Sequence, residues 1–244
     1  MKLKVRRLSV AVVAFLVALI WLLINPASYD EIFTKVENTG AEAGIDFEAE
    51  AVTELDKEAL LAMDVLERLE VKGRAPKTGY SREQFYDGWP DVNGCSLRQR
   101  ILKREMGDSA VLEGCVVVAG EFDEPYTGEH MVLENKNEVS KIQIDHVVAL
   151  SDAWQKGAQY KEYEVRNAIA TDPLNLLAVE GEANMQKSDG DAATWLPKNK
   201  RFRCQYVARQ VSVKYKYGLW VTQAEKEAIS RVLTNCPNEP AIGI

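Results

Sequence analysis

The run from Leu8 to Ile24 constrains this chain most. It holds seventeen residues with Ser9 as the one polar side chain, and the basic start MKLKVRR precedes it. So apolar a stretch behind four cations carries the rest of the chain across a membrane, either as a cleaved signal peptide or as an uncleaved anchor. The pattern around Asn25, Pro26, Ala27 and Ser28 is a poor cleavage site, which favours the anchor. Both readings leave the remaining residues outside the cytoplasm, either secreted or held at the membrane by residues 8–24.

An oxidising compartment changes how the cysteines read. Cys95, Cys115, Cys204 and Cys236 are an even set without a C-x-x-C pair, so a zinc site is not expected. Of three possible connectivities, Cys95–Cys115 and Cys204–Cys236 join the pairs nearest in sequence and are the expected bridges. Each would contribute about 3 kcal/mol by restricting the unfolded chain. Four reduced core cysteines is the alternative.

Residues 1–27 thus form the leader. Residues 28–52 carry Asp30, Glu31, Glu37, Glu42, Asp46, Glu48 and Glu50 against Lys35 alone, the composition of an acidic spacer. Residues 53–244 form one domain, ordinary in its 46% hydrophobic and 27% charged content. The net charge of −7 argues against tight binding of nucleic acid over much of the surface. It is compatible with an enzyme that engages a phosphodiester at one basic patch.

Within the domain, Leu55, Ala59, Met63, Leu66 and Leu69 repeat at helical spacing and predict a helix over 53–70. A second helix is predicted over 96–106. The β-rich run 115–119 should end at Gly120, and the sequence DEPYTG marks a turn. Then come a strand over 141–148, a helix over 151–168, a strand over 174–179 and a short helix over 182–188. Thr222 and Glu225 form a capping box opening a last helix, with Ala228, Ile229, Val232 and Leu233 on its core face. There is no internal repeat.

The chemistry concentrates between 142 and 217. Hydrolysing a phosphodiester needs a base for water, a cation for developing charge, and a group that holds the base in its working tautomer. Asp145 and His146, adjacent at a strand end, offer a hard oxygen ligand and an imidazole. Neighbouring strand residues face opposite ways, so both serve one site only where the strand ends or bends. Asn184 on the short helix adds an oxygen ligand, with Lys187 three residues on along the same face. Carboxylate and amide oxygens suit magnesium, or manganese.

The order of strand with Asp-His, strand with Asn, helix with Asn and Lys resembles the ββα-metal motif of HNH endonucleases. The stretches DHVVAL, DPLNLLAV and NMQKSDGDAATWLP are similar to a branch of exported bacterial HNH proteins and to the C-terminal nuclease domain of GmrSD modification-dependent restriction enzymes. The similarity runs from about Val71 to the C-terminal helix. It implies an α+β fold with a ββα-metal (His-Me finger) core at about 141–190, elaborated by further helices and disulfides. It implies His146 as general base, Asp145 and Asn184 as metal ligands, and Asn175 as the residue that orients the histidine or its loop. Lys187 becomes a candidate phosphate contact, joined by Arg98 and Arg166. The motif's last position holds Asn184 in place of histidine, and the stretch between His146 and Asn175 exceeds a minimal motif.

Plainer readings stand beside these. Asp145 and His146 could be a surface pair, Asn175 the closure of a turn, Asn184 and Lys187 a solvated helix face. Arg98 and Arg166 could be ordinary surface residues. His130 reads as exposed loop, Trp154 and Trp195 as core. Between Lys198 and Lys216 stand seven cations and no acid, with Phe202, Tyr206, Tyr215 and Tyr217 among them. This is either a phosphate-binding track or a β-hairpin with one solvated face.

The expectation is a metal-dependent endonuclease that cuts DNA, and RNA as a further option, with low sequence specificity and no obligate protein partner. The alternatives are a non-catalytic cell-surface module that binds nucleic acid or envelope on a nuclease-like fold, and hydrolysis of another phosphodiester polymer.

Overall fold

The computed structural model describes residues 60–243. The apolar run 8–24, the acidic segment 28–52 and the start of the helix expected over 53–70 lie outside them. In chain order the elements are α1 (Ala62–Arg68), β1 (Asp91–Val92), β2 (Cys95–Ser96), α2 (Leu97–Met106), β3 (Val111–Glu113), β4 (Val116–Asp123), β5 (His130–Leu133), α3 (Lys136–Val139), β6 (Ile142–His146), α4 (Leu150–Gln155), α5 (Tyr163–Thr171), β7 (Leu176–Glu180), α6 (Gly181–Lys187), α7 (Arg203–Lys216) and α8 (Gln223–Leu233). The fold is α+β.

The antiparallel pair β6–β7 is buried on both sides. Ile144 lies opposite Ala178 and His146 opposite Leu176, and paired residues share a face. Ile142, Ile144, Leu176 and Ala178 pack with Leu97, Ile101 and Leu102 of α2 and with Phe122 and Leu133 of the β3–β4–β5 meander. Leu177 and Val179 enter the core built by Val65 and Leu66 of α1, Val207 and Val211 of α7, and Ile229 and Leu233 of α8. This two-sided burial is why the run LLAV shows no alternation. A third cluster, with Phe85, Val148, Trp154, Ile169 and Val213, fills the space under the loop that leaves β6.

Both expected disulfides are present. Cys95–Cys115 joins β2 to the turn before β4, with Cα atoms 5.4 Å apart, and Cys204–Cys236 joins α7 to the end of α8, at 6.4 Å. The capping box of Thr222 and Glu225 is also formed.

Three expectations change. The helix predicted over 151–168 is two helices, α4 and α5. Gly157 breaks it, with φ of 121° and the Trp220 ring 3.0 Å from where a Cβ would stand. The strand expected to stop at Gly120 continues to Asp123, because residues 120–123 pair with β5. This also places His130 on an exposed strand, its Nδ1 2.8 Å from Asp123 Oδ1, and not in a loop. The basic segment is no hairpin: a 3-10 turn leads into the fourteen-residue helix α7. Its β-branched residues are overridden by the helical spacing of Val207, Gln210, Val211 and Lys214, all buried.

Behind the sheet lies a feature with no signature in the sequence. Lys156 Nζ stands 2.6 Å from Asp152, 2.7 Å from Asp191 and 2.7 Å from Glu225. Lys214 Nζ lies 3.0 Å from Asp152 and 2.7 Å from Glu225, and Arg74 closes the group on Asp152 and Asp191 at 3.0 and 2.6 Å. Three cations balance three carboxylates, and all but Arg74 are buried. Burial alone would raise the Asp191 carboxyl, yet Lys156 and Arg74 hold it down at about 2. The cluster links the segment before the first 3-10 turn, α4, the loop after α6, α7 and α8.

Deleting one charge from such a cluster strands its partners. Lys156→Met should cost about 3–5 kcal/mol, read as a lower urea midpoint. Lys136→Ala, which removes an exposed pair with Glu113, should cost less than about 1 kcal/mol. Equal effects would mean that the cluster holds nothing in place.

Candidate active site

Two adjacent strand residues face opposite ways, so Asp145 and His146 share a cleft only because β6 ends at His146. Asp145 follows Gln143 onto the α6 side, and the His146 ring closes the strand on the other. Both line one cleft of 380 Å³, together with Arg82, Gln143, Asn184 and Asp189.

His146 is buried. Its Nε2 lies 2.9 Å from the carbonyl oxygen of Ala170, near the end of α5. A carbonyl only accepts, so Nε2 carries the proton and Nδ1 keeps its lone pair. Trp89 stacks on the ring at 5.9 Å with planes 7° apart, and Tyr86 lies 5.8 Å away, centroid to centroid. Burial, with the Arg82 charge close by, lowers the imidazole pKa to about 3. The histidine is therefore neutral at ordinary pH.

Asn175 stands in the 3-10 turn before β7, fully buried. Its Oδ1 accepts from Val148 N at 2.8 Å, and its Nδ2 donates to Ile169 O at 2.9 Å and Val148 O at 3.3 Å. The side chain thus pins the loop leaving His146 to the helix whose carbonyl fixes the imidazole.

Asp145 departs from the expected free ligand. Lys187 Nζ donates to its Oδ1 at 2.9 Å, and Tyr126 OH donates to its Oδ2. Burial raises the Asp145 carboxyl above the usual range against the opposing pull of Lys187 and Tyr126. Each oxygen keeps a second lone pair. Asn184 Nδ2 donates to Gln143 Oε1 at 2.8 Å, a bond that leaves Oδ1 uninvolved. Helix α6 lies tight against β6 because residue 181 is glycine: a Cβ there would meet Lys141 O at 2.8 Å.

Asp145 and Asn184 line the same cleft and carry oxygen donors of the kind a hard divalent cation takes, while Asp189, also at the cleft, is bonded to Lys77 at 2.8 Å. Among the described residues, Cys204, Cys236 and Glu239 also lie close together, but their two sulfurs are bonded to each other.

The three expected phosphate contacts are placed elsewhere. Lys187 is buried, its amine turned inward to Asp145 and the His146 carbonyl at 2.8 Å, because a buried carboxylate needs a counter-charge. It does not share an open face with Asn184. Arg98 donates to Ile142 O at 2.9 Å and braces α2 against β6. Arg166 donates to Gln84 O at 2.7 Å and to Lys161 O. The cation that does line the cleft is Arg82, which no motif in the sequence marks. Its Nε and NH2 donate to Tyr86 OH at 2.9 and 2.7 Å. The stretch SREQFYDGW carries only a faint signal of this: Arg82 and Tyr86 stand four apart, as on one helical face, and Trp89 comes three residues later.

The model of the GmrSD restriction endonuclease C-terminal domain matches residues 101–232, a span containing Asp145, His146, Asn175, Asn184 and Lys187. The chain belongs to this family. The GmrSD-type domain is also similar to a protein of Arthroderma benhamiae named "Uncharacterized secreted protein", 34% identical over 181 residues that cover 73% of this chain and 86% of the relative. No solved structure matches.

The depressed imidazole gives a stability prediction. An unfolded histidine takes up a proton near pH 6.5, and the folded one refuses it until about pH 3. Stability is therefore fully present above pH 6.5 and falls on acidification towards 3, by about 1.4 kcal/mol per pH unit from this group. Thermal unfolding in chelator should show a shallower decline between pH 6.5 and 5 for His146→Gln than for wild type. Parallel curves would mean that the ring is not held neutral.

Proposed function

We propose that this GmrSD-type domain is a metal-dependent endonuclease of HNH type acting on DNA, with RNA as a second substrate and with low sequence specificity. One observation carries the reading. The imidazole of His146 is neutral, its Nε2 is tied to a carbonyl, and its Nδ1 is left as a base in a cleft with two oxygen donors.

In this reading Nδ1 of His146 takes a proton from water. The resulting hydroxide attacks phosphorus, and the bond to the 3′ oxygen breaks, the departing oxygen taking its proton from solvent water. The Ala170 carbonyl steadies the imidazolium through the Nε2 proton. Asp145 and Asn184 would hold the divalent cation, magnesium or manganese, which would supply electrostatic stabilisation of charge on the phosphate and the leaving oxygen. Asn175 acts through the loop it clamps, and Lys187 through the Asp145 carboxylate it orients. Arg82 takes the role expected of Lys187, as the phosphate contact. A phosphodiester against Arg82 also offsets the charge that depresses the histidine, so the base gains proton affinity when substrate is seated.

Action outside the cytoplasm is supported by the two disulfides and by the word "secreted" in the name of the relative. No helix of the described residues is long and apolar enough to cross a membrane. Anchoring by residues 8–24 is proposed from sequence alone.

The test incubates the full chain, disulfides intact, with plasmid DNA and with RNA, in magnesium, manganese or chelator. Cleavage should require metal, and His146→Ala should lower the rate by roughly 10²–10⁴-fold in a protein that is still folded, although losing the buried ring lowers its thermal midpoint. Arg82→Ala should lower kcat/KM by roughly 10²-fold. Undiminished cleavage by His146→Ala would overturn the assignment of the base. A folded, metal-loaded protein that binds nucleic acid without cutting it would instead be a binding module.

A further inference from the structure

The seven cations between Lys198 and Lys216 separate into two groups. Lys214 is buried on Asp152 and Glu225, Arg209 donates to Leu174 O at 3.0 Å, and Lys216 pairs with Asp172 at 2.7 Å. These three already have intramolecular partners. Lys198, Lys200, Arg201 and Arg203 have no carboxylate partner among the described residues, and the first three are exposed. Arg203 Nε is occupied by Pro197 O at 2.7 Å, which leaves the other two guanidinium nitrogens.

Lys200 and Arg203 do not stand alone. They line a cavity of 520 Å³ with Arg231, which α8 brings across from a distant part of the sequence, and with Asn235. Ala228 and Leu196 contribute apolar wall, and no carboxylate lines it. The Cys204–Cys236 bridge fixes the two helices that supply the cations. A larger basic cavity, of 680 Å³ beside α2, differs on this point. Asp108 lines it, and its Arg104 is bonded to the carbonyls of Pro173 and Leu176 and to Glu105.

The same segment is mechanically close to the cleft. Phe202 and Trp195 pack on the Tyr126 ring at 6.3 and 4.9 Å, and Tyr126 holds Asp145. Asn199 Nδ2 bonds Pro125 O at 3.1 Å.

We propose that Lys200, Arg203 and Arg231 form a second site that grips the sugar-phosphate backbone of nucleic acid away from the scissile bond. In a chain of net charge −7, repulsion between protein and polyanion makes such a local concentration of unpartnered cations the means of holding substrate. The contacts are to phosphate alone, so the grip is indifferent to sequence. The second site rests on the nuclease reading for its purpose, and its test does not depend on turnover.

Binding of a fluorescent 20-base-pair DNA duplex to the full chain is measured by anisotropy in chelator, across a salt series. Wild type is compared with the double variant Lys200→Gln, Arg231→Gln, whose two side chains are exposed. Loss of two phosphate contacts should weaken binding by about tenfold or more near 0.1 M salt and reduce the slope of log K against log salt by about 1.8. An unchanged Kd and slope, with the variant folded by its thermal midpoint, overturns the second site, as does absence of wild-type binding. If the variant loses binding while wild type fails to cut DNA in magnesium, the nuclease reading falls and the site stands.

Discussion

Six charged groups meet behind the sheet, and the placement of everything around the cleft depends on their balance. Lys156 at the end of α4 touches three carboxylates from three different segments. Two of those segments border the cleft: α4 comes after the loop from His146, and Asp191 after the helix that carries Asn184. The third, Glu225, is also the partner of the N-cap Thr222 in the capping box of α8. Buried ion clusters add little net stability over well-packed apolar residues, but each member is satisfied only in one arrangement. Such a cluster acts on geometry. It sets where the strand-end histidine and the helix-borne asparagine stand relative to one another, in a protein whose sheet at that point has two strands only.

A second, smaller pair repeats the principle inside the cleft. Lys187 neutralises Asp145 and bonds the His146 carbonyl, while Tyr126 takes the other carboxylate oxygen. Tyr126 is itself fixed edge-on by Trp195 and Tyr206. The aspartate therefore has a set orientation before any cation arrives. The histidine has a set tautomer for a similar reason, through a carbonyl that belongs to a separate helix.

What the sequence made legible was local. Asp145, His146, Asn175 and Asn184 sit at strand ends and helix turns that short-range pattern identifies, and their order carries the family resemblance. The disulfides join cysteines that are neighbours along the chain. What failed was tertiary. Helical spacing put Lys187 beside Asn184, but only the packing of α6 on β6 shows that the lysine turns inward. Arg98 and Arg166 bond backbone carbonyls of segments 44 and 82 residues away, and no pattern announces such partners. Arg82 precedes the motif and reaches the cleft through folding, and its neighbourhood carries only the faint spacing signal of Tyr86 and Trp89. The break at Gly157 follows the glycine's own conformational freedom, while the helix over the basic segment was set by core burial, against the β propensity of its valines.

The Asn175 side chain has a consequence for how chains of this kind change over time. It bonds Val148 just after β6 and Ile169 ahead of β7, while Ala170 reaches His146 from the same stretch. Everything between these anchor points is an excursion that leaves and returns at one place. Closing a longer excursion costs slowly increasing entropy and nothing in geometry. Insertions at Tyr160–Glu162, the exposed part of the excursion beyond the buried Asp152 and Lys156, can therefore be accommodated without displacing the site. Chain length at that turn and the geometry of the cleft are then separate matters, while the stretch that carries Asp152 and Lys156 is not free to be exchanged.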